Sequence, residues 1–272
     1  LNKLKKIEEF DPLTGEIMIA EGTVSGPYTL EYEICENGAN PENCDITTVT
    51  ISGAGDLDFT AVANDELEDL LTVDASTMTG DVTMDLAALR AQHTDAATVA
   101  STATLGAGDD TFTTTANGDT VNSGAGDDTV VGGAGNDDIT GGEGDDTITT
   151  DAGTDTVNAG AGDDTVIVAG NLTAGDSIDG GEGIDTISMN SAEFLANQIG
   201  TAGQQLSALT SFEKLLISDA YNAGAAVDIS DYGINYLVVA GGLNGAEEVS
   251  GFTSGATVEI TTDAVETDVL SV

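Results

Sequence analysis

A nine-residue period runs through residues 105–188 and fixes the places of one carboxylate and one apolar side chain. Read in nines from Leu105, the segment gives LGAGDDTFT, TTANGDTVN, SGAGDDTVV, GGAGNDDIT, GGEGDDTIT, TDAGTDTVN and AGAGDDTVI, and after three extra residues NLTAGDSID and GGEGIDTIS. The sixth place is Asp in every unit and the eighth is always apolar, from Phe112 to Ile187. A flexible Gly-rich linker would not need this register, so the period predicts a repeat fold.

The recurring aspartates predict calcium binding. Glycine lets a turn aim several carbonyl oxygens at one point, and Ca²⁺ takes about six to eight oxygen ligands from carboxylates and carbonyls together. The candidate ligands are Asp110, Asp119, Asp128, Asp137, Asp146, Asp155, Asp164, Asp176 and Asp185. Units eighteen residues apart fall on the same edge of the coiled chain, so the expected pairs are Asp110 with Asp128, Asp119 with Asp137, Asp128 with Asp146, Asp137 with Asp155, and Asp146 with Asp164. The extra residues 168–170 are expected to bulge out before Asp155 can meet Asp176.

The units resemble the nonapeptide repeats of RTX proteins, whose pattern is G-G-x-G-x-D-x-U-x. This resemblance covers about 84 residues. It implies Ca²⁺ as the cofactor and an all-β fold, a right-handed parallel β-roll or β-solenoid in which each unit is a turn followed by a short strand. TTANGDTVN and NLTAGDSID lack the paired glycines, and TDAGTDTVN has Asp151 at the second glycine. The family's calcium sites therefore carry over less directly to those turns.

The acid content makes such a roll dependent on cations. Residues 105–188 contain 18 acidic residues and no Lys or Arg, and repulsion among like charges opposes a compact state. We therefore expect a roll that is unfolded without calcium and folds on binding it. Extracellular calcium modules bind at about 10⁻⁴–10⁻³ M, so folding is expected outside the cell.

The N-terminal residues 22–51 alternate polar and apolar residues in two runs around a cysteine loop, which predicts an antiparallel hairpin. Because no further Cys or nearby His completes a zinc set, a disulfide between Cys35 and Cys44 is favoured over a metal site. A disulfide indicates an oxidising, extracellular setting. The segment also resembles the last strands of the Ig-like repeats of large bacterial surface proteins, through Tyr32, Cys35, Cys44, Asp45, Thr48 and Val49.

Segments outside the roll predict further β coils. LEDLLTVDA at 67–75 and FEKLLISDA at 212–220 share five of nine residues, and SGAGDLDFT at 52–60 reads as a decayed nonapeptide with Leu57 in place of Asp. LAALRAQH (86–93) and AEFLANQI (192–199) are predicted short helices that cap the roll and protect its edges. The predicted domains are a hairpin or Ig-like segment (1–50), solenoid-like coils with a helix (51–104), the calcium roll (105–188), and a capping helix with further coils (189–272).

Composition and missing motifs exclude several functions. The 49 acidic and 5 basic residues give a formal net charge of −44, which excludes nucleic acid as a partner. The sequence has no apolar run of about 18 residues for membrane insertion. His93 is the only histidine, so an H-E-x-x-H zinc site is impossible, and no G-x-S-x-G elbow occurs. A glycosidase would need paired carboxylates, but the chain has no Trp for a sugar platform. We predict a protein that is not an enzyme.

Segments such as VDASTMTGDVTMDL and VSGFTSGATVEIT resemble calcium-dependent bacterial S-layer proteins. This resemblance implies a surface lattice or fibre whose copies associate through calcium bridges, since roughly five or six ions in the roll would offset only part of the net charge. The alternatives are a distal RTX module of a large adhesin, or the calcium-binding C-terminal part of a secreted protein whose active domain is missing. Cell-surface polysaccharide is a further candidate partner. The RTX resemblance and the lack of a visible signal peptide imply type I secretion and an extracellular or cell-surface location.

Overall fold

The computed structural model describes residues 5–11, 16–19, 29–32, 48–58, 72–90, 100–170, 172–173, 175–194, 209–219, 227–229, 234–241, 249–250 and 255–260. Within these residues the chain is almost entirely β-structure. The helical exceptions are α1 (Leu86–Arg90) and residues 191–194.

The described strands form two large sheets and one small one. The first sheet contains β1 (Lys5–Asp11), β2 (Glu16–Ile19), β5 (Leu57–Asp58), β7 (Val82–Asp85), β9 (Thr111–Thr113), β11 (Thr129–Val131), β13 (Thr147–Thr150), β15 (Thr165–Val168), β17 (Thr186–Met189), β19 (Lys214–Ile217), β21 (Tyr236–Val239) and β23 (Thr257–Ile260). The second contains β3 (Thr29–Tyr32), β4 (Thr48–Gly53), β6 (Thr72–Met78), β8 (Thr102–Thr104), β10 (Thr120–Ala125), β12 (Asp138–Glu143), β14 (Thr156–Ala161), β16 (Ser177–Glu182) and β18 (Leu209–Thr210). The third pairs β20 (Val227–Asp228) with β22 (Val249–Ser250).

Successive strands of the repeat region alternate between the two large sheets, and each pairs in parallel with the strand two places along. Val121 of β10 pairs with Ile139 of β12, and Val130 of β11 pairs with Ile148 of β13. Each partner is eighteen residues away, so one coil consists of two nonapeptides. The predicted all-β parallel β-solenoid is confirmed.

The apolar eighth place of each unit builds the core between the sheets. All nine of these side chains are at most 2% exposed: Phe112, Val121, Val130, Ile139, Ile148, Val157, Val166, Ile178 and Ile187. Neighbouring strand residues such as Thr129 and Thr147 lie nearer the surface, which gives the period-two alternation of a half-buried strand. The core is thin because each strand supplies few large side chains to it.

The three-residue insertion lengthens one coil without interrupting the sheets. Thr156 pairs with Ser177 and Thr165 with Thr186, each twenty-one residues away. Val168, the first inserted residue, does not bulge out: it completes β15, pairs with Met189 and is 3% exposed. The added length lies in the turn after it.

Segments before the repeats continue the solenoid. Leu57 pairs with Val82, and the pairing of Thr83 with Thr111 sets Val82 beside Asp110. Leu57 therefore occupies the place of the repeat aspartate, as the decayed nonapeptide predicts, and is 4% exposed. Strands β3 and β4 pair antiparallel, which agrees with the predicted hairpin, while the antiparallel pairing of β1 with β2 was not predicted.

The described parts of the two similar segments, residues 72–75 of 67–75 and residues 212–219 of 212–220, lie in different sheets. Residues of the first form β6 in the second sheet, whereas residues of the second form β19 in the first sheet. The described residues 72–75 and 214–217 lie in solenoid strands, as predicted, but these strands belong to different sheets.

The predicted helices are present in shorter form. Helix α1 covers the first five residues of 86–93, and residues 191–194 bring the fully buried Phe194 to the core. Cys35, Cys44 and His93 lie outside the described residues, so their roles stay predictions. No helix in the described part of the chain is long and apolar enough to cross a membrane.

Candidate metal centre

The nine repeat aspartates are buried at the start of the nine strands β9 to β17. Each stands directly before its strand, at the end of the Gly-rich turn that joins the two sheets. Their exposed fractions are between 0% and 9%: Asp110, Asp119, Asp128, Asp137, Asp146, Asp155, Asp164, Asp176 and Asp185. Buried carboxylates need hydrogen bonds or cations to offset the loss of water.

Five of these aspartates form a first ladder along one edge of the roll. The backbone N–H of each donates to Oδ1 of the aspartate in the next coil, at 2.7 Å from Asp110 to Asp128 and 2.8 Å from Asp128 to Asp146. The ladder continues at 2.8 Å to Asp164 and 2.9 Å to Asp185. Each carboxylate therefore holds the turn of the preceding coil by accepting its backbone N–H.

A second ladder of four aspartates follows the opposite edge. The N–H of Asp119 donates to Oδ1 of Asp137 at 2.8 Å, and the N–H of Asp137 donates to Asp155 at 3.0 Å. The N–H of Asp155 donates to Oδ1 of Asp176 at 2.9 Å across the lengthened coil. The structure thus brings together every predicted pair, and also joins Asp155 to Asp176 and Asp164 to Asp185.

Most Oδ2 atoms of these carboxylates have no hydrogen-bond donor. Among the described residues, buried Oδ2 atoms without a partner belong to Asp128, Asp137, Asp146, Asp164 and Asp185; Oδ1 of Asp179 is in the same state. An ionised carboxylate accepts hydrogen bonds but cannot donate them, and leaving a buried acceptor unsatisfied costs about 1–3 kcal/mol or more. A divalent cation beside these oxygens removes that cost, so the residues fit Ca²⁺.

Two glycines, which carry no side chain, leave space for a cation beside two of these oxygens. A Cβ at Gly141 would stand 2.4 Å from Oδ2 of Asp146 and 2.2 Å from the carbonyl oxygen of Ala159 in the next coil. At Gly180 the corresponding distances are 2.7 Å to Oδ2 of Asp185 and 2.3 Å to the carbonyl oxygen of Ser211. Glycine at these places therefore leaves a cradle between a carboxylate and a backbone carbonyl.

Backbone oxygens must supply much of any calcium shell here. The described ranges contain no group of three or more His, Cys, Asp or Glu residues arranged to hold a metal ion. Ca²⁺ takes backbone carbonyl oxygens as ligands together with carboxylates, and the turns carry a carbonyl at every residue. Each ion is expected to join two adjacent coils through one or two carboxylates and several carbonyls.

Burial raises the pKa of the unpartnered aspartates. Desolvation is the main cause, and neighbouring carboxylates add to it: the pKa rises to about 7 at Asp137 and Asp146 and to about 6 at Asp128 and Asp164. The pKa of Asp110 rises to about 7 for the same first reason. Burial therefore makes the ionised form less favourable than it is in water, and a bound cation would offset that cost.

Threonines complete the hydrogen bonding of two aspartates. Thr115 donates to Oδ2 of Asp119 from its N–H at 2.9 Å and from Oγ1 at 2.7 Å. The N–H of Thr173 donates to Oδ2 of Asp176, and its Oγ1 donates to Oδ1 at 3.0 Å. These aspartates belong to the two units, TTANGDTVN and NLTAGDSID, that lack glycine at both the second and the fourth place. Their altered turns were visible in the sequence, but the threonine contacts were not predicted.

An outer ladder of exposed aspartates was also missed. The N–H of Asp127 donates to Oδ1 of Asp109 at 3.0 Å, and the pattern repeats from Asp145 to Asp127 at 2.9 Å and from Asp163 to Asp145 at 2.8 Å. Its signal in the sequence is the Asp at the fifth place of alternate units. These carboxylates cap backbone N–H groups while facing solvent.

The buried carboxylate ladders and their open Oδ2 atoms define a calcium-binding β-roll. A family model of the RTX calcium-binding nonapeptide repeat (4 copies) matches residues 104–139 and 131–166. That part of the chain consists of RTX repeats, and these repeats bind Ca²⁺. RTX repeats are typical of secreted extracellular proteins. No curated protein and no solved structure matches the chain.

Proposed function

We propose that this chain is an extracellular structural protein, not an enzyme, whose roll folds on calcium and whose copies then assemble into an S-layer-like lattice or fibre. Calcium has two tasks in this proposal. Ions bound inside the roll hold the coils together, and ions bound between molecules bridge the acidic surfaces of neighbouring copies.

The exposed outer ladder is the observation that supports assembly. Neighbouring strands of a sheet lie about 4.8 Å apart, so the ladder sets like charges close together in a row: Asp81, Asp109, Asp127, Asp145 and Asp163. With a formal net charge of −44, two such surfaces repel each other unless divalent cations lie between them. Calcium bridging thus makes association dependent on the same ion that folds the roll.

Electron microscopy and light scattering of the full chain test this function. We expect ordered sheets or fibres after calcium is added to about 1 mM, the range of extracellular calcium modules, and no order with magnesium. The matched variant carries Asp127→Asn, Asp145→Asn and Asp163→Asn. It is expected to keep the calcium-induced β signal in circular dichroism and to lose assembly. Persistent wild-type monomers in calcium would contradict the proposal.

The alternative is a distal RTX module of a large adhesin, favoured by the antiparallel pairing of β3 with β4, in which Tyr32 lies opposite Val49. These two residues carry part of the resemblance to Ig-like surface repeats. An adhesin module predicts calcium-folded monomers that bind a surface ligand such as polysaccharide. Glycan binding by the monomer in calcium, without ordered assemblies, would support this alternative.

A further inference from the structure

We propose that Thr115 and Thr173 take the place of calcium at two turns of the second ladder, so that the two edges of the roll bind unequal numbers of ions. This inference rests on calcium binding by the repeats and not on the proposed assembly. It concerns the turns that end at Asp119 and Asp176.

The carboxylate of Asp119 is saturated by donors from this chain. Oδ2 accepts two hydrogen bonds from Thr115, and Oδ1 accepts two from Ser101, one from its N–H and one from Oγ at 2.6 Å. The side chain is 1% exposed. A cation beside Oδ2 would have to displace the N–H and the hydroxyl of Thr115, and each displaced buried donor would lose its partner.

Asp137 provides the contrast in the same ladder. It occupies the same place of its unit, one coil further on, and is 3% exposed. Its Oδ1 accepts the N–H of Asp119 at 2.8 Å, but its Oδ2 has no partner. Gly133 stands where the Asp119 turn has Thr115. Asp137 therefore lacks the two donors that Thr115 supplies to Oδ2 of Asp119.

The carbonyl that would complete a site at Asp119 is also engaged. In the Asp146 unit, the cradle at Gly141 faces the carbonyl oxygen of Ala159, which begins the unit of the next coil. The equivalent carbonyl for the Asp119 unit belongs to Gly132, and it accepts a hydrogen bond from Oγ1 of Thr114. Threonine hydroxyls thus occupy both the carboxylate side and the carbonyl side of this turn.

A similar contact in the Asp128 unit shows which of the two threonine contacts matters for calcium binding. Ser123 donates from Oγ to the carbonyl oxygen of Gly141 at 2.9 Å and also lies close enough to the Asp128 carboxylate to lower its pKa, yet Oδ2 of Asp128 has no well-formed hydrogen bond. A hydrogen bond to this carbonyl oxygen alone therefore does not prevent calcium from reaching Oδ2. Hydrogen bonds to Oδ2, from Thr115 at Asp119 and from Thr173 at Asp176, separate these closed turns from the open ones. In the first ladder, Oδ2 of Asp110 receives only a longer contact of 3.3 Å from the N–H of Gly106.

Closed turns lie at both ends of the second ladder. Asp119 and Asp176 are its first and last members, and Asp137 and Asp155 lie between them; of these two, Asp137 has the unpartnered Oδ2. In the first ladder Oδ2 is unpartnered from Asp128 through to Asp185. The first edge consequently carries more calcium than the second, and the ends of the second edge hold their geometry without metal.

Counting calcium per folded chain tests the inference. The full chain, Asp119→Asn and Asp137→Asn are equilibrated with excess calcium, and bound calcium is measured by elemental analysis after equilibrium dialysis. Asp137→Asn is expected to lose about one ion relative to wild type, because it alone removes a ligand with an open oxygen. Asp119→Asn is expected to keep the wild-type count, and an equal loss in both variants would overturn the proposal.

A gain-of-site variant keeps the test decisive if Asp119→Asn fails to fold. T115G/N117G removes the Thr115 hydroxyl, which donates to Asp119 and accepts from Asn117 at 3.3 Å, and gives the turn the glycines of the open units. Its calcium count is expected to rise by about one ion, because Oδ2 of Asp119 loses its hydroxyl donor and gains space. A folded variant with an unchanged count would refute the assignment.

Discussion

Oε2 of Glu213 accepts a hydrogen bond at 2.8 Å from the backbone N–H of Asp185, twenty-eight residues earlier in the chain. Glu213 thereby takes the clamping role of the next aspartate in the first ladder, one coil beyond the last nonapeptide. At the other end, the N–H of Val82 donates to Oδ1 of Asp110 at 2.6 Å. The clamping contacts thus reach past the repeats in both directions.

Glu213→Ala is expected to loosen the C-terminal end of the roll. The N–H of Asp185 loses its acceptor, which costs about 0.5–1.5 kcal/mol for a typical hydrogen bond and up to about 3 kcal/mol for a charged one. Hydrogen exchange in saturating calcium should show faster exchange at Asp185 and little change at Asp128. Glu213→Gln, which keeps an acceptor oxygen, is the control and should restore most of the protection.

Removal of calcium is expected to unfold the repeat region. The open Oδ2 atoms and the 18 acidic residues of 105–188 leave the metal-free roll with buried, mutually repelling carboxylates, so binding and folding are coupled. Circular dichroism in chelator should lose most of the β signal and regain it on adding calcium. A full β signal in chelator would show that the carboxylates are stable without metal.

Asp146→Asn should weaken calcium-dependent folding much more than Asp145→Asn. Asp146 is 2% exposed with an open Oδ2, whereas Asp145 caps a neighbouring N–H at the surface. Changes in a metal's supporting residues alone cost about 10–100-fold in affinity, so loss of a ligand should raise the calcium midpoint at least about tenfold. Calcium titrations followed by circular dichroism measure both midpoints, and equal shifts would contradict the ligand assignment.

Acid is expected to substitute in part for calcium. The pKa of Asp137 and Asp146 rises to about 7 in the folded roll, from an ordinary value of 3.8. A raised pKa means that these groups favour the folded state below about pH 4 and lose that contribution as the pH rises through about 7. The metal-free chain should therefore show more β structure at about pH 5 than at about pH 8.

Salt provides the control for the acid experiment. High salt at about pH 8 screens exposed charges but leaves the buried carboxylates ionised. It is therefore expected to restore less β signal than acid does. Equal recovery in salt and in acid would mean that surface repulsion, and not the buried ladders, keeps the metal-free chain open.

Ile148→Ala is expected to destabilise the calcium-loaded roll by about 2–5 kcal/mol, the usual cost of truncating a buried aliphatic side chain. Ile148 is fully buried, whereas Ile184 in a nearby turn is 59% exposed. Ile184→Ala should therefore change the free energy of unfolding by less than about 0.5 kcal/mol. Denaturant unfolding in saturating calcium compares the two, and similar effects would show that the eighth place does not form the core.

The repeat region was predictable because its nine-residue period fixes both the place of each side chain within its unit and its neighbours in the adjacent coils. The burial of Val130 and Asp128 follows from their fixed places in the unit, and even the degenerate unit at Leu57 could be placed by this rule. The similarity of 67–75 to 212–220 gave no such rule, since nine residues without a period do not say which sheet they join.

The closing contacts were not predictable from the repeat pattern. Thr115 and Thr173 stand at different places in their units, four and three residues before the aspartate, so no common spacing marks them. Glu213 is twenty-eight residues from its partner Asp185 and does not belong to a nonapeptide unit. Such contacts depend on how a particular turn folds, and only the three-dimensional arrangement brings their atoms together.

The lengthened coil after β15 shows where a protein of this kind tolerates an insertion. Asp155 still meets Asp176 and Asp164 still meets Asp185, although three additional residues separate each pair. The stack therefore fixes the contacts between coils but not the length of chain that connects them. Insertions at this corner can accumulate during evolution, or be designed as sites for foreign peptides, while the metal-binding edges stay in alignment.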